Sequence, residues 1–414
     1  SSITIMDQKT GQIKAMVGGR GEKASSLGLN RAYQGSKRQP GSTFKILAAY
    51  APALDSCDKT LATTIDDEEY EYKNGQSVNN WDKKYIGPTR VRYGIEHSMN
   101  VLAVKTLTDY VGETESYDYL LNFGFTTLSE DDKYSQAKAL GGITNGVYNI
   151  EMTAAYAAIA NGGTYTKPIL YTQVLDHDGN VLLDNTTPET HEVLKDSTAY
   201  LLTSAMEDVV NGAGGTGGSA RLSNMPVAAK TGTSQESRDL WISAFTPYYT
   251  ASVWGGYDEH KTMDRLSQSW HQKLWKNIME HIQDTKGLEY KDFEIPSSVE
   301  EKTVCTKTGL LATSSCPAIT EYFSKDNAPT KSCSGHYVAP SKDSKKDDSE
   351  SSDENTPATG TDSSGTTSSP DSSSAGTTTE PAAGGDSAGT TGTTTGDTSG
   401  STTGGDTGSG STTQ

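Results

Sequence analysis

The sequence lacks any long apolar run. No stretch approaches the roughly 20 apolar residues that a membrane-spanning helix requires, and the N-terminus has neither a basic segment nor a signal-peptide core. The chain as given is therefore expected to be soluble. It opens on Ser-Ser-Ile-Thr-Ile, an alternating strand pattern, so any membrane anchor is expected upstream of residue 1.

Positive charge is also scarce. The chain has 35 Lys and Arg against 53 Asp and Glu, for a formal net charge of -18. Half of that excess falls in residues 341–414, where twelve acidic residues face three lysines. The rest of the chain remains acidic, which argues against nucleic acid as a partner.

Apolar residues almost disappear from residue 341 onward, where Ser, Thr, Gly, Asp and Pro dominate. Such a segment has too little apolar surface to offset the conformational entropy lost on ordering. Residues 341–414 are therefore predicted to be a disordered tail, and residues 1–340 to be folded.

Cysteine is rare, with only four in the chain, at positions 57, 305, 316 and 333. One hypothesis is a metal site formed by the last three with His336, but the spacings lack the paired C-x-x-C motifs of common zinc folds. A disulfide within the 305–333 group is favoured if the protein is exported, with its connectivity left open. We therefore predict no metal and no cofactor.

The predicted elements run in the order strands, many helices, strands, helix. A hairpin over residues 3–19 turns at Gly11 and is followed by a helix from Ser42 that Pro52 weakens. Further helices are predicted over 99–110, 150–160 capped by Asn149, 198–210 capped by Ser197, and around 274–282; strands are predicted over 227–234, 240–245 and 251–257. This order favours an α+β fold, an antiparallel sheet with helices packed on both faces and an inserted all-helical subdomain.

Ser42 and Lys45 form the first chemical motif, S-x-x-K. Three residues apart on a helix, the two side chains lie on one face, where a neutral lysine can take the serine proton. Ser56–Lys59 and Ser135–Lys138 match the same pattern. Ser42 is preferred because Gln39-Pro40-Gly41 is a sharp turn that presents it at a helix N-terminus.

A second motif, Lys230-Thr231-Gly232-Thr233-Ser234, lies on a predicted strand. It offers a cation, hydroxyls and a glycine that lets a peptide backbone approach, so a peptide with a terminal carboxylate could add to this strand edge. Lys307-Thr308-Gly309 has the same letters, but it falls outside any strand–hairpin pattern and is interpreted as a loop.

The third motif is Ser98-Met99-Asn100 at the start of a helix, suited to relaying a proton and holding a substrate carbonyl. Ser77-Val78-Asn79 shares the pattern, and either triplet alone is most often a helix cap or a turn.

Together, S-x-x-K, S-x-N and K-T-G in this order are the signature of penicillin-binding proteins and class A β-lactamases. The chain more closely resembles the transpeptidase domain of bifunctional class A penicillin-binding proteins of Gram-positive type, over residues 1 to about 290. The motifs that carry this closer resemblance are Asn30-Arg31-Ala32, Arg38-Gln39-Pro40-Gly41-Ser42, Ala139-Leu140-Gly141-Gly142, Ala155-Tyr156-Ala157 and Val253-Trp254-Gly255-Gly256-Tyr257-Asp258.

The resemblance implies a role for each site residue. Ser42 would be the acylated nucleophile, Lys45 its base and Ser98 the proton relay to the leaving amine. Asn100 would orient the peptide. The substrate carboxylate would bind at Lys230, Thr231, Gly232 and Thr233, with the backbone N–H groups of Ser42 and Thr233 as the oxyanion hole.

The resemblance also implies D,D-transpeptidation of peptidoglycan stem peptides ending in D-Ala-D-Ala, inhibited by β-lactams. It places the protein at the outer face of the cytoplasmic membrane or the wall of a Gram-positive bacterium, with a glycosyltransferase domain and anchor upstream. The expected domains are a transpeptidase at 1–290, a cysteine-containing extension at 291–340 and the tail at 341–414.

Three alternatives stay open. A D,D-carboxypeptidase could use the same fold. A β-lactamase would need a deacylating carboxylate, for which Asp118 in Asp118-Tyr119-Leu120-Leu121-Asn122 is the nearest equivalent. A non-catalytic wall-binding module would be consistent with the long Ser/Thr/Gly tail.

Overall fold

The structure is a computed structural model that describes residues 1–22, 26–33, 35–259, 261–263 and 268–336. The predicted tail at 341–414 lies outside the described residues. The described helices are α1 (Ala51–Asp55), α2 (Val91–Glu96), α3 (Asn100–Lys105), α4 (Glu113–Asn122), α5 (Asn149–Ala160), α6 (Asp196–Asn211) and α7 (Trp270–Lys286). The strands are β1 (Ser2–Met6), β2 (Ile13–Val17), β3 (Thr64–Asp67), β4 (Tyr70–Glu71), β5 (Ser77–Val78), β6 (Gly87–Arg90), β7 (Thr164–Thr166), β8 (Gln173–Leu175), β9 (Val181–Asp184), β10 (Thr190–Glu192), β11 (Ala228–Thr233), β12 (Asp239–Phe245), β13 (Thr250–Gly256), β14 (Val299–Cys305) and β15 (Ala318–Ser324).

Five antiparallel strands form the central sheet, in the order β11-β12-β13-β1-β2. The N-terminal hairpin therefore joins strands that lie more than 200 residues later in the chain. Strand β11, which carries the K-T-G motif, stands at one edge of the sheet. Its outer backbone groups are consequently available to pair with an added peptide strand.

Alternation along the strands gives the sheet two buried faces. Trp241 and Trp254 pair across β12 and β13 and belong to the large core that includes Tyr156 of α5. Ile242 and its partner Val253 point to the opposite face and pack with Trp275 of α7. Helices thus cover both faces of an antiparallel sheet, as the sequence predicts for this α+β fold.

The helical insertion lies between β2 and β11. It is not all-helical as predicted, because it contains four two-stranded ribbons beside helices α1 to α6. The ribbons pair β3 with β6, β4 with β5, β7 with β10 and β8 with β9. These strands are two to four residues long, too short for a periodic pattern to reveal them.

The chain then forms a hairpin of β14 and β15 beyond α7, paired from Val299–Ser324 to Cys305–Ala318. Arg92 of α2 anchors this hairpin, because its guanidinium lies 2.6 Å from a carboxylate oxygen of Glu321. All described residues belong to one compact unit. Among them, no helix is both long and apolar enough to cross a membrane.

The predicted helices and strands of residues 3–19, 42–52 and 227–257 are confirmed within a few residues, whereas two predicted caps are wrong. Helix α5 begins at Asn149, whose amide instead donates to the Ser252 carbonyl at 3.0 Å and ties the helix to β13. Helix α6 begins at Asp196, with Lys195 as the extended residue before it, so Ser197 lies inside the first turn. Tertiary contacts and an upstream start of the helix overrode the local capping preference.

Candidate active site

The turn that carries Ser42 is tightly wound. A 3-10 turn over Gly41–Thr43 leads into wider π-helical turns over Lys45–Tyr50 and then into α1. Gly41 has φ of 55°, which glycine adopts without strain. The Thr43 hydroxyl donates to the Pro40 carbonyl at 2.7 Å and closes the turn. π-helical turns are rare and concentrate at functional sites, which fits their position directly after Ser42.

Glycines allow this turn to lie against β11. A β-carbon on Gly41 would stand 2.7 Å from the Thr233 carbonyl oxygen, and one on Gly232 would stand 2.5 Å from the Pro40 carbonyl oxygen. Gly141 closes the other side, because its β-carbon would lie 2.4 Å from the Gly41 carbonyl oxygen. The backbones of the Ser42 turn and of Thr233 are thereby held side by side, as an oxyanion hole built from both would require.

The sequence hypothesis gave Gly232 the task of admitting a substrate backbone. In the structure, the missing side chain of Gly232 instead makes room for Pro40 and Thr43 of the Ser42 turn. Gly232 therefore serves the packing of β11 against the turn.

Two buried lysines converge on one hydroxyl. The Lys230 amine donates to Ser98 Oγ at 2.7 Å, and the Lys45 amine lies 3.2 Å from the same oxygen. Lys45 also donates to the Ser98 carbonyl at 2.5 Å. Both lysine side chains are fully buried. Among the described residues neither forms an ion pair with a carboxylate, so their charged forms have no counter-ion there.

Burial without a counter-ion shifts both amines toward the neutral form. Desolvation lowers the pKa of Lys45 well below its usual range, and the positive charge of Lys230 lowers it further. Desolvation also lowers the pKa of Lys230 to about 7. Lys45 can therefore be an unprotonated base at neutral pH, as the sequence motif requires of it.

The structure places Ser42 at the start of the helix that carries Lys45. Ser42 Oγ makes no hydrogen bond within the part of the chain that is described, while the Lys45 amine is occupied by Ser98 and Asn100. The expected contact between Ser42 and Lys45 is therefore not formed in this structure. Catalytic hydrogen bonds are often long before substrate binds.

Asn100 holds Lys45 in place. Its side-chain oxygen accepts from the Lys45 amine at 2.6 Å, and its amide nitrogen donates to the Asn79 carbonyl at 2.7 Å. Asn80 caps α3, because its side-chain oxygen accepts from the backbone N–H of Asn100 at 2.9 Å. Asn79, the last residue of the triplet Ser77-Val78-Asn79, and the following Asn80 therefore both contact Asn100 and support the site.

Ser98 itself sits in a left-handed backbone conformation with φ of 55°. This is uncommon for a residue other than glycine and costs on the order of 1–3 kcal/mol. The conformation places the Ser98 carbonyl and hydroxyl together against Lys45. Packing of the flanking residues, Met99 and the stacked rings of Tyr93 and His97, holds the strained position.

Thr216 is a site residue that the sequence reasoning missed. Its hydroxyl lies 2.7 Å from the hydroxyl of Thr231 on β11, and its carbonyl accepts from the Gln272 amide at 3.1 Å. Thr216 stands in Gly212-Ala213-Gly214-Gly215-Thr216-Gly217-Gly218. A single threonine within a run of glycines was the sequence feature that could have indicated Thr216 as a site residue.

Two core side chains hold the Ser42 turn in place through hydrogen bonds. The Tyr156 hydroxyl donates to the Thr43 carbonyl at 2.8 Å, and the Trp241 indole donates to the Gln39 carbonyl at 2.9 Å. Trp241 is fully buried. The motif Ala155-Tyr156-Ala157 therefore contributes to the site by holding the Ser42 turn in place.

The other copies of the motifs lie elsewhere. Ser56 donates to Glu115 at 2.6 Å. The Lys138 amine is engaged by backbone carbonyls, among them that of Ser135 at 2.9 Å. Lys307 follows β14, where its backbone N–H points at Cys305 Sγ at 3.4 Å. None of these contacts involves Ser42, Ser98 or Lys230.

Comparison with known proteins identifies two families along the chain. Residues 1–280 match the penicillin binding protein transpeptidase domain. Residues 295–337 match the penicillin-binding protein 1A C-terminal domain.

Curated relatives are class A proteins of Gram-positive bacteria. Penicillin-binding protein 1A of Clostridium tetani is 34% identical over 364 residues, covering 81% of this chain and 44% of that protein. Penicillin-binding protein 1A/1B of Bacillus subtilis is 32% identical over 353 residues, covering 79% of this chain and 37% of that protein. The chain thus spans less than half the length of these relatives.

Solved structures share the fold. A crystal structure of penicillin-binding protein 1A from Haemophilus influenzae matches with a TM-score of 0.69 at 24% identity, over 80% of this chain and 54% of that one. PonA1 of Mycobacterium tuberculosis in complex with penicillin V matches with a TM-score of 0.63 at 24% identity, over 72% of this chain and 80% of that one.

Proposed function

We propose, from the premise that this chain belongs to the penicillin-binding protein transpeptidase family, that it is a D,D-transpeptidase acting through a Ser42 acyl-enzyme. The single observation that carries the proposal is the convergence of Lys45 and Lys230 on Ser98 Oγ beside the Ser42 turn. Lys45, Ser98 and Lys230 come from three motifs that are far apart in sequence, and together they form one route along which a proton can be transferred.

In the first step, the neutral Lys45 amine takes the Ser42 proton and Ser42 Oγ attacks the carbonyl carbon of the penultimate D-alanine. The negative charge that develops on the carbonyl oxygen is stabilised by the backbone N–H groups of Ser42 and Thr233. The helix N-terminus at Ser42 adds a favourable dipole.

In the second step, Ser98 donates its proton to the leaving nitrogen of the terminal D-alanine and is reprotonated from the lysine beside it. The C–N bond breaks and D-alanine departs as the amine. An amine of a neighbouring stem peptide then attacks the acyl-enzyme, which forms the cross-link and releases Ser42.

Substrate binding would use the edge of the sheet. An extended stem peptide can pair with β11, and its terminal carboxylate would meet Lys230, Thr231 and Thr233. The hydroxyl pair of Thr231 and Thr216 supplies donors at the same place. β-Lactams, which carry a carboxylate beside a strained amide, would acylate Ser42 by the same route.

We assign residues 1–290 to the transpeptidase domain and 291–340 to the extension. We place the protein at the outer face of the cytoplasmic membrane, with the glycosyltransferase domain and anchor on a segment upstream of this chain. Asp118, the nearest equivalent of a β-lactamase deacylating carboxylate, is exposed on α4.

The test is acylation by a labelled penicillin followed by mass spectrometry of the modified peptide. We expect one stoichiometric adduct on Ser42 and none in the Ser42→Ala variant. Ser56→Ala and Ser135→Ala are matched controls, because both serines occupy S-x-x-K sequences, and both should label normally. Label that persists in Ser42→Ala, or rapid turnover in place of a stoichiometric burst, would overturn the proposal.

A further inference from the structure

Three cysteines and a histidine come together at the end of the β14–β15 hairpin. The ligand atoms of Cys305, Cys316, Cys333 and His336 all lie within 4.8 Å of one another. His336 Nε2 is 3.1 Å from Cys305 Sγ and 3.5 Å from Cys333 Sγ. All four cysteines of the chain are free thiols in the structure, so the disulfide expected from the sequence is not formed.

These separations are close to those between the ligand atoms of a tetrahedral zinc centre. With Zn–S of about 2.3 Å and Zn–N of about 2.0 Å, neighbouring ligand atoms stand about 3.5–3.8 Å apart. Three sulfurs and one imidazole nitrogen form one of the common ligand sets of structural zinc, and thiolates select zinc over hard cations. We propose that this cluster is a structural Zn²⁺ site of the Cys₃His type.

The backbone that follows Cys305 turns around its thiol. The Lys307 N–H points at Cys305 Sγ at 3.4 Å, and the Gly309 N–H donates to the Cys305 carbonyl at 2.9 Å. The sequence Lys307-Thr308-Gly309, which mimics the K-T-G motif, is therefore the turn that wraps this thiol. N–H donors favour the thiolate, which is the form that binds metal.

The four ligands differ in burial. Cys305 and Cys333 are buried, at 0% and 3% exposure, while Cys316 and His336 are half-buried at the surface. Cys333 and His336 are separated by two residues, a spacing common to paired zinc ligands. Two half-buried ligands give the ion a path of entry.

The apolar core of the extension is small. Its own apolar cluster comprises Val304 and Phe323 with Ala62 of the insertion, and the partly buried Ile319 and Ala328 pack against it. A core of this size rarely stabilises a fold without a metal or disulfides. One disulfide would leave the third cysteine and His336 without a role, whereas zinc uses all four and releases the protons of the three thiols.

The experiment measures zinc bound to the purified chain of residues 1–414 by elemental analysis. About one zinc per chain is expected. Cobalt in its place should give thiolate-to-metal charge-transfer absorption and intense tetrahedral visible bands. Cys305→Ser and Cys333→Ser should reduce tightly bound zinc to near zero. Cys57→Ser is the matched control and should retain it, because Cys57 lies outside the cluster.

Two further measurements distinguish the loss of zinc from the loss of the fold. Removal of zinc from the wild-type chain by a chelator should lower its melting temperature, and added zinc should restore it. Penicillin labelling of Ser42 in each variant reports whether the catalytic domain is folded, and Ser42→Ala should bind zinc normally. A chain that binds no zinc, or whose intact mass shows the loss of two hydrogens per cysteine pair, would overturn the proposal.

Discussion

At the scale of single residues, Lys45 and Lys230 set the pH dependence of the site. In the proposed mechanism neutral Lys45 is the base, so acylation should rise with pH as Lys45 loses its proton. In the same proposal the Lys230 cation binds the substrate carboxylate, so acylation should fall as pH rises through the Lys230 pKa of about 7. A bell-shaped profile of the second-order acylation rate by penicillin is expected. A profile that stays flat above pH 7 would show that the charge of Lys230 is not needed.

The same two lysines make the site costly to fold. Their folded pKa values are depressed, so the unfolded chain binds more protons below the usual lysine pKa, and stability is lower there than with a neutral side chain. Lys45→Met should therefore raise the free energy of unfolding by about 1–2 kcal/mol at neutral pH. It should also slow acylation by a factor of about 10²–10⁴ through loss of the base.

Denaturant unfolding and penicillin acylation of the same preparation check this pair of effects. Lys59→Met serves as the matched control, because Lys59 ends an S-x-x-K sequence at a site where its amine lies over the Tyr110 ring. A less stable Lys45→Met protein would contradict the expected cost of burying this amine.

At the scale of elements, β11 can contact the Ser42 turn only because residue 232 is a glycine. In Gly232→Ala the new β-carbon would meet the Pro40 carbonyl oxygen at 2.5 Å and Thr43 Cγ2 at 2.9 Å. We expect a loss of about 1–3 kcal/mol of stability and a slower acylation, because β11 must move away from Ser42.

Gly218→Ala is the control for this change, since its β-carbon would come no closer than 3.8 Å to a neighbour, the Val210 carbonyl. Thermal unfolding and penicillin acylation of both variants decide the matter. Equal behaviour of the two variants would mean that the turn tolerates displacement of β11.

At the scale of the whole molecule, the C-terminal hairpin is fastened to the helical insertion by a buried ion-pair network. Glu321 on β15 is 1% exposed and accepts from Arg92, which also pairs with Asp208 of α6 at 2.7 Å. Glu321→Gln removes the charge and leaves Arg90 and Arg92 facing a neutral amide. We expect a loss of about 3–5 kcal/mol, measured by chemical denaturation.

Glu300→Gln is the matched control on the neighbouring strand, because its pair with Lys302 is partly exposed and should contribute little. If the Glu321 and Glu300 variants lost equal stability, the network would not be what holds the hairpin to the insertion.

The sequence by itself determined the secondary-structure elements around Ser42. The Pro-Gly turn, the strand pattern of residues 227–257 and the order of the three motifs are local features, and hydrophobic periodicity or turn chemistry specifies each of them within a few residues. The helix caps at Asn149 and Ser197 were wrong because α6 starts earlier than predicted and α5 uses Asn149 for a contact with β13.

Only the tertiary structure decided which side chains meet. The bond from Lys230 to Ser98 spans 132 positions, and the contact of His336 with Cys305 spans 31. The contacts of Thr216, Asn80 and Gly232 depend on the same long-range packing, in which β11 lies at the sheet edge against the Ser42 turn. Sequence spacing carries no information on such contacts, because the packing of the whole sheet and its insertion fixes them.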